Sequence, residues 1–212
     1  MSLYAGYQNS RFPAHPGRRI VWREIAAYLQ LYLPPGGAVL DLGSGYCDFI
    51  NSIQAGRKWA VDLYLKPAEF AAGGVTPVEA DVTDLDAVPD GELDLVLASN
   101  LLEHLSDNKL ELTIRGIRQK LRSGGRFIAI QPNFAYSYRT YFDDYTHCRV
   151  FTHVSLADYL TAHGFVIERV TPRFLPFSMK SRLPKWGFLV RLYLRSPLRP
   201  FAKQMLVVAR KP

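Results

Sequence analysis

The sequence predicts an α/β fold built on a doubly wound, mostly parallel sheet of seven strands, and three observations carry that prediction. Short apolar, β-branched runs recur with helix-length segments between them, the pattern of parallel strands joined by crossover helices. One run, Val39-Leu40-Asp41-Leu42, passes straight into a glycine turn and then a helix. Acidic residues also stand at the ends of the next two runs, where a doubly wound sheet gathers its ligand-binding groups.

The elements follow in chain order. An amphipathic segment, Arg18–Leu33, predicts a helix that Pro34-Pro35-Gly36-Gly37 stops. Strands are expected at Ala38–Leu42, Lys58–Leu63, Thr76–Ala80, Leu93–Ser99 and Arg126–Gln131, which together make the doubly wound unit. Phe165–Val170 and Gln204–Arg210 bring the number to seven. Further helices are expected over Asp48–Gln54, Asp107–Leu121 and Ser155–His163, with Gly124-Gly125 ending the second of these before a buried strand. The chain shows no internal repeat or low-complexity tract.

With 212 residues, 48% of them hydrophobic, the chain is long enough for one substantial core, and a single domain over 1–212 is expected. The stretch Met1–Arg19 is polar and broken by Pro13 and Pro16. No later stretch reaches the roughly 18 apolar residues that span a bilayer, so the reading is a cytoplasmic protein. Cys47 and Cys148 show no disulfide or zinc-ligand spacing and are read as free thiols.

The net charge of +7 is concentrated in one place. Residues 172–212 hold ten Lys and Arg and no Asp or Glu, leaving 16 basic against 19 acidic residues elsewhere. Either this segment is a solvated basic surface, or it meets something anionic such as lipid headgroups, nucleic acid or an acidic substrate.

The strongest local signal is Asp41-Leu42-Gly43-Ser44-Gly45, with Asp48 opening the next helix. Glycines let the backbone turn sharply and let a ligand approach where a Cβ would collide. Asp62, 21 residues after Asp41, ends the second strand, and Asp81 follows the third. An acid at the end of the second strand can accept hydrogen bonds from both ribose hydroxyls of an adenosine. Charge then separates two cofactor classes. A dinucleotide fingerprint would place its third glycine at position 48, beside the helix N-terminus that holds a pyrophosphate, and here that residue is Asp48. A carboxylate repels phosphate but suits S-adenosylmethionine (SAM), which carries a sulfonium and an ammonium. Asp48 can equally cap its helix.

These residues resemble the class I methyltransferases, in particular the type 11 and type 23 methyltransferase domains. The resemblance covers about residues 20–172 and the last strand. It rests on Asp41-Leu42-Gly43-Ser44-Gly45, Asp62, Ala80-Asp81-Val82, Ser99-Asn100-Leu101-Leu102-Glu103-His104-Leu105 and Leu121-Arg122-Ser123-Gly124-Gly125. It implies a Rossmann-like sheet whose last strand is antiparallel, and SAM as cofactor. The Asp41, Gly43, Ser44 and Gly45 turn would lie against the methionine part, and Asp62 with Leu63 beside the ribose. Asp81 and the Val82 amide would read the adenine, and Asn100 would stand near the reacting end. Cys47 stands where the family has a third glycine.

The acceptor side has two candidate groups. Glu103-His104 lies just beyond the fourth strand, and His104 is either a general base or a residue that packs the adjacent helix. Both have metal-ligand chemistry, but no further ligand is evident in the spacing, so no metal site is assigned. The loop from Pro132 to Thr152 is dense in Tyr, Asp, His and Arg without apolar periodicity. Within it, Asp144 and His147 are either acceptor-side groups or a structural pair closing the loop. The stretch Tyr4–Arg11 is either a lid over the cofactor or a disordered terminus.

Between the last two strands, residues 172–203 form a basic insertion. Lys185–Arg195 can form a helix with Arg182, Lys185, Arg191, Arg195 and Arg199 on one half and most aromatic and aliphatic residues opposite. Such a segment either packs on its own domain or docks peripherally on an anionic membrane surface. The favoured activity is methylation of a small-molecule or glycan acceptor at oxygen, the glycan being implied by a general resemblance to bacterial polysaccharide-associated methyltransferases. A nucleic-acid methyltransferase is the runner-up, although no motif for a flipped base and no RNA-binding module are present. A non-catalytic SAM-binding or interaction protein is the alternative from another class.

Overall fold

The structure is a computed structural model and describes residues 17–176 and 186–212. Tyr4–Arg11, Lys180, Arg182 and Lys185 therefore lie outside the described residues. The described residues open with helix α1 (Gly17–Leu29) and a 3-10 turn (Gln30–Tyr32), then β1 (Ala38–Leu42), a short α2 (Asp48–Ser52) and β2 (Arg57–Asp62). It continues through α3 (Pro67–Phe70), β3 (Val75–Glu79), β4 (Leu93–Ser99), a 3-10 turn (Leu102–His104) and α4 (Asp107–Lys120). Next come β5 (Leu121–Pro132), α5 (Phe134–Ser137), a 3-10 segment (Tyr138–Asp143) and α6 (His153–Ala162). β6 (Val166–Pro176), α7 (Gly187–Arg195) and β7 (Ala202–Arg210) complete the described chain.

All seven strands join one sheet in the order β3-β2-β1-β4-β5-β7-β6. β1 to β5 pair parallel, whereas β7 runs antiparallel to both β5 and β6. The chain winds outward from β1 through β2 to β3, then returns to β4 on the other side of β1. This reversal opens a crevice at the carboxyl ends of β1 and β4, where a doubly wound sheet takes its ligand.

Side chains alternate across the sheet and build two cores. Leu40, Leu42, Val96, Ala98, Phe127, Ala129, Met205 and Val207 face one layer, which the Leu110, Ile114 and Ile117 stripe of α4 and Leu156 and Leu160 of α6 cover. Val39, Leu95, Leu97, Ile128, Ile130, Leu206 and Val208 face the other, under Ile25, Ala26 and Leu29 of α1, Phe49 and Ile50 of α2 and Leu194 of α7. Because the central strands are covered on both faces, they read as continuous apolar runs. Each such fully buried aliphatic side chain contributes about 1.5–3 kcal/mol.

The structure differs from the sequence expectation at Gly124-Gly125. α4 ends at Lys120, and the glycine pair lies inside β5 and does not stop the helix. A Cβ on Gly125 would stand 2.7 Å from the Leu93 carbonyl oxygen, so these glycines let β5 approach β4 where their register shifts. The region between β3 and β4 is built from turns, with Val82, Leu85 and Val88 still buried in the core.

Candidate active site

The carboxyl ends of β1, β2 and β4 bring the glycine turn, Asp62 and Asn100 to one edge. After Leu42 the backbone turns through Gly43 (φ 71°) and Gly45 (φ 53°), and the Gly43 and Ser44 amides both donate to the Val61 carbonyl. A Cβ on Gly43 would press to 3.1 Å from Leu101 Cδ1, so the turn fits closely beneath the segment after β4. Cys47 adopts the left-handed conformation (φ 57°, ψ 21°) and is wholly buried, keeping the backbone path that a glycine would take. Burial pushes its thiol up to about 11, so it stays protonated.

The Asp62 carboxylate organises this edge. One oxygen accepts the Gly45 amide at 2.9 Å, and the other accepts the Tyr64 and Leu65 amides at 2.8 and 2.9 Å. Leu63 is exposed beside it. Asp41 is buried beneath the turn, and burial first, then the Asp62 and Asp48 charges, push its carboxyl up to about 8.

Asp48 does not cap its helix. The residue preceding the helix is Cys47, which makes no side-chain cap bond, and Asp48 instead forms a buried ion pair with Arg18 at 3.0 Å. Its charge is thus neutralised within the fold, which weakens the repulsion argument against phosphate. The sequence offered no signal for this partner 30 positions away.

Asp81 accepts the Thr83 amide and hydroxyl at 3.1 and 2.8 Å and pairs with Lys109 at 2.5 Å. Burial alone would raise its carboxyl, but these partners outweigh it and lower it. Val82 beside it is buried. Asn100 is held in the left-handed region (φ 50°), its amide donating to the Ile130 carbonyl and its side-chain oxygen accepting Gln204 Nε2 at 2.5 Å. Gln204 was not singled out in the sequence, nor was Gln131. The Gln131 amide, at the end of β5, is buried and has no hydrogen-bond partner among the described residues.

The acceptor-side candidates converge. Backbone amides of Cys148 and Arg149 donate to the Glu103 carbonyl at 3.0 and 3.1 Å, pinning the loop after β5 onto the turn after β4. This sets the His104 and His147 rings 4.9 Å apart. His147 is buried with Nδ1 2.7 Å from the Tyr141 carbonyl, and Asp144 lies 4.0 Å from its Nε2. Asp144 Oδ1 accepts the Thr146 hydroxyl at 2.6 Å, and Thr146 Oγ1 lies 2.9 Å from His104 Nδ1. Burial, reinforced by His147, holds His104 down at about 4, so it is neutral at physiological pH. Glu103 is 1% exposed and is pushed up to about 8, mainly by burial. The loop is thus closed by backbone bonds to Glu103 more than by the Asp144–His147 contact, and Glu103, His104 and His147 form one cluster. Two surface hollows, one lined by Arg115, Arg118 and His163 and the other by Leu33, Pro35 and Gln54, lie at the opposite edge of the sheet.

A family model described as a methyltransferase domain, of the type 23 group, matches residues 15–170. The chain belongs to this methyltransferase family. It is a SAM-dependent methyltransferase by family and fold, and SAM is its cofactor. The residues present fit that cofactor: half-buried Asp62, its carboxylate fixed by three backbone amides, stands beside the glycine turn at the carboxyl ends of β1 and β2. No curated protein sequence matches the chain.

Solved structures share the architecture. A SAM-dependent methyltransferase from Archaeoglobus fulgidus superposes with a TM-score of 0.68 at 21% identity, covering 100% of both chains. One from Mesorhizobium loti gives 0.61 at 21%, covering 87% of this chain and 96% of the other. The Burkholderia thailandensis 1,6-didemethyltoxoflavin N1-methyltransferase, solved with its substrate and S-adenosylhomocysteine, gives 0.62 at 22%, covering 98% and 84%. Among the described residues, no helix is long and apolar enough to cross a membrane.

Proposed function

We propose that this methyltransferase acts on a hydroxyl of a small molecule or glycan, with His104, Asp144 and His147 facing the acceptor. The observation that carries the reading is the convergence of His104 and His147 on the segment that follows Asn100. When bound, SAM supplies an electrophilic methyl group on a sulfonium. Transfer is an in-line displacement, so the protein's first task is to align the acceptor lone pair. A hydroxyl also sheds its proton as the ether forms; His104, held down at about 4, is a weak base, and His147 is the imidazole assigned to take that proton. A small-molecule acceptor is supported by the Burkholderia neighbour, whose bound substrate is one.

On the cofactor side, Asp41, Gly43, Ser44 and Gly45 would meet the methionine part, Asp62 and Leu63 the ribose, Asp81 and Val82 the adenine, and Asn100 the reacting end. Asp62 supports this assignment because its amide bonds fix the carboxylate's direction before the cofactor arrives. Lys109 must leave Asp81 or share it with the adenine amine. Incubating the enzyme with methyl-labelled SAM and fractionated cell extract tests the acceptor class. Label in the low-mass or glycan fraction is expected, and label confined to nucleic acid would overturn the reading.

A second observation concerns where the enzyme works. Trp186, Phe188, Leu192, Leu198 and Phe201 are all more than half exposed, and Arg195 shares the outward face of α7 with Phe188 and Leu192. We propose that this face rests on an anionic membrane surface. The same helix also packs on its own domain through buried Leu194 and an Arg191–Glu24 ion pair at 2.8 Å. Basic and apolar residues share its outward face, so it is not divided into opposite halves as the helical wheel predicted. Several of the basic residues are held by the domain itself: Arg173 donates to the Ala202 carbonyl, Arg199 to that of Leu194, Lys211 to that of Leu121, and Arg210 pairs with Glu168.

A further inference from the structure

We propose that Glu103, His104 and His147 form a binding site for a divalent transition-metal cation of the zinc type. This deepens the acceptor-side reading above and rests on it for its role, though not for its existence. The spacing in the sequence showed only two candidate ligands; the fold supplies the third from a loop more than forty residues away.

One ligating atom from each of the three residues lies within 4.8 Å of the others. An ion bound at about 2.0–2.2 Å holds tetrahedral ligands roughly 3.5 Å apart, so about 1 Å of side-chain motion completes the set. The Glu103 carboxylate is the second, independent observation. Both its oxygens are buried and have no hydrogen-bond partner among the described residues, while its backbone carbonyl is occupied by Cys148 and Arg149. A carboxyl group withdrawn from water is retained at low cost only when something compensates it, and a cation does so directly.

The imidazoles are oriented as metal ligands are. His147 donates Nδ1–H to the Tyr141 carbonyl at 2.7 Å. Thr146 gives its hydroxyl proton to Asp144, so its oxygen accepts from His104 Nδ1–H at 2.9 Å. Both bonds make Nε2 the lone-pair nitrogen, and this outer shell of carbonyl and hydroxyl is the arrangement that fixes ring direction and tautomer around bound metals. Asp144, 4.0 Å from His147 Nε2, adds negative charge nearby. Two imidazoles and one carboxylate suit zinc, cobalt or iron(II) better than magnesium, which prefers oxygen ligands. Three protein ligands leave a coordination position in which an acceptor hydroxyl would bind with a lowered pKa and pass its proton to solvent water. His147, which would otherwise take that proton, would then hold the cation.

The test is metal binding, measured without any acceptor. Chelator-treated full-length protein is titrated with Zn²⁺ and, for its visible spectrum, with Co²⁺. One equivalent per chain with nitrogen-ligated Co²⁺ bands is expected. Glu103→Gln and His147→Ala should each weaken binding at least tenfold, Thr146→Val about tenfold, and His163→Ala should leave it unchanged. Retained SAM affinity reports that each variant is folded; if Glu103→Gln fails that check, the wild-type Co²⁺ spectrum and Thr146→Val decide. Absence of stoichiometric binding, or equal affinity in the folded ligand variants, overturns the proposal. A cation that binds as expected but does not alter methyl transfer upholds the site and removes its acceptor role.

Discussion

The Asp62 carboxylate accepts the backbone amide of Gly45 at 2.9 Å, joining the end of the second strand to the glycine turn after the first. One carboxylate therefore shapes the loop and, in the proposed assignment, waits for the ribose. Asp62→Ala should weaken SAM binding by tenfold or more, since a hydrogen bond to a charged group contributes roughly 1.5–3 kcal/mol. Calorimetry on a folded variant checks this; unchanged affinity would remove Asp62 from the cofactor site.

Cys47 occupies the left-handed region at φ 57° although it is not glycine. That conformation costs a residue with a Cβ about 1–2 kcal/mol, while glycine costs about 0.5–1 kcal/mol in chain entropy and gives up the buried thiol. Cys47→Gly should therefore change stability by no more than about 1 kcal/mol and leave SAM affinity within threefold. A large loss of affinity would mean that the thiol itself shapes the pocket.

Asp41 gives a pH signature with a definite sign. Its folded pKa, pushed up to about 8, lies above its ordinary value of 3.8, so the folded protein binds the extra proton between them. This contribution to stability is full below about pH 4 and is lost as the pH rises through 8. A cationic cofactor favours the ionised form, so SAM binding should release a proton and tighten from pH 6 to 8. Asp41→Asn should flatten that slope in calorimetric titrations; an unchanged slope would assign the proton elsewhere.

His147→Ala should lower the rate of methyl transfer at least tenfold while SAM affinity is kept, because the ring lies with the acceptor-side groups and not with the glycine turn. Parallel loss of cofactor binding or of melting temperature would indicate that His147 only closes the loop.

The exposed face of α7 should bind anionic vesicles and not neutral ones at low salt, each nearby basic residue adding about 1 kcal/mol. Trp186→Ala with Phe188→Ala should abolish sedimentation without lowering the melting temperature. Arg191→Glu should instead lower it, because Glu24 is buried and would lose its partner. Wild-type protein that stays in the supernatant would reject the membrane surface.

The sheet was legible in the sequence because its central strands are buried on both faces, which turns Ala38–Leu42 and Leu93–Ser99 into apolar runs with the same bounds as observed. The glycine turn was legible too, since a sharp turn that ends under Leu101 leaves little room for a Cβ at Gly43. Cys47 shows the limit of that rule: its residue type gave no sign of the left-handed backbone that packing imposes on it.

What the sequence by itself determined is therefore local, namely periodicity, the turn and the acids at strand ends, because each depends on neighbours a few residues away. Only the tertiary structure decided that Arg18 neutralises Asp48, that Arg191 belongs to Glu24, and that His147 stands with Glu103 and His104. These pairings join positions 30, 167 and more than forty residues apart, and the chain between them carries no pattern that encodes the distance. Burial supplies the selection: a charged or polar group withdrawn from water must be met by whatever partner the packed sheet brings within reach.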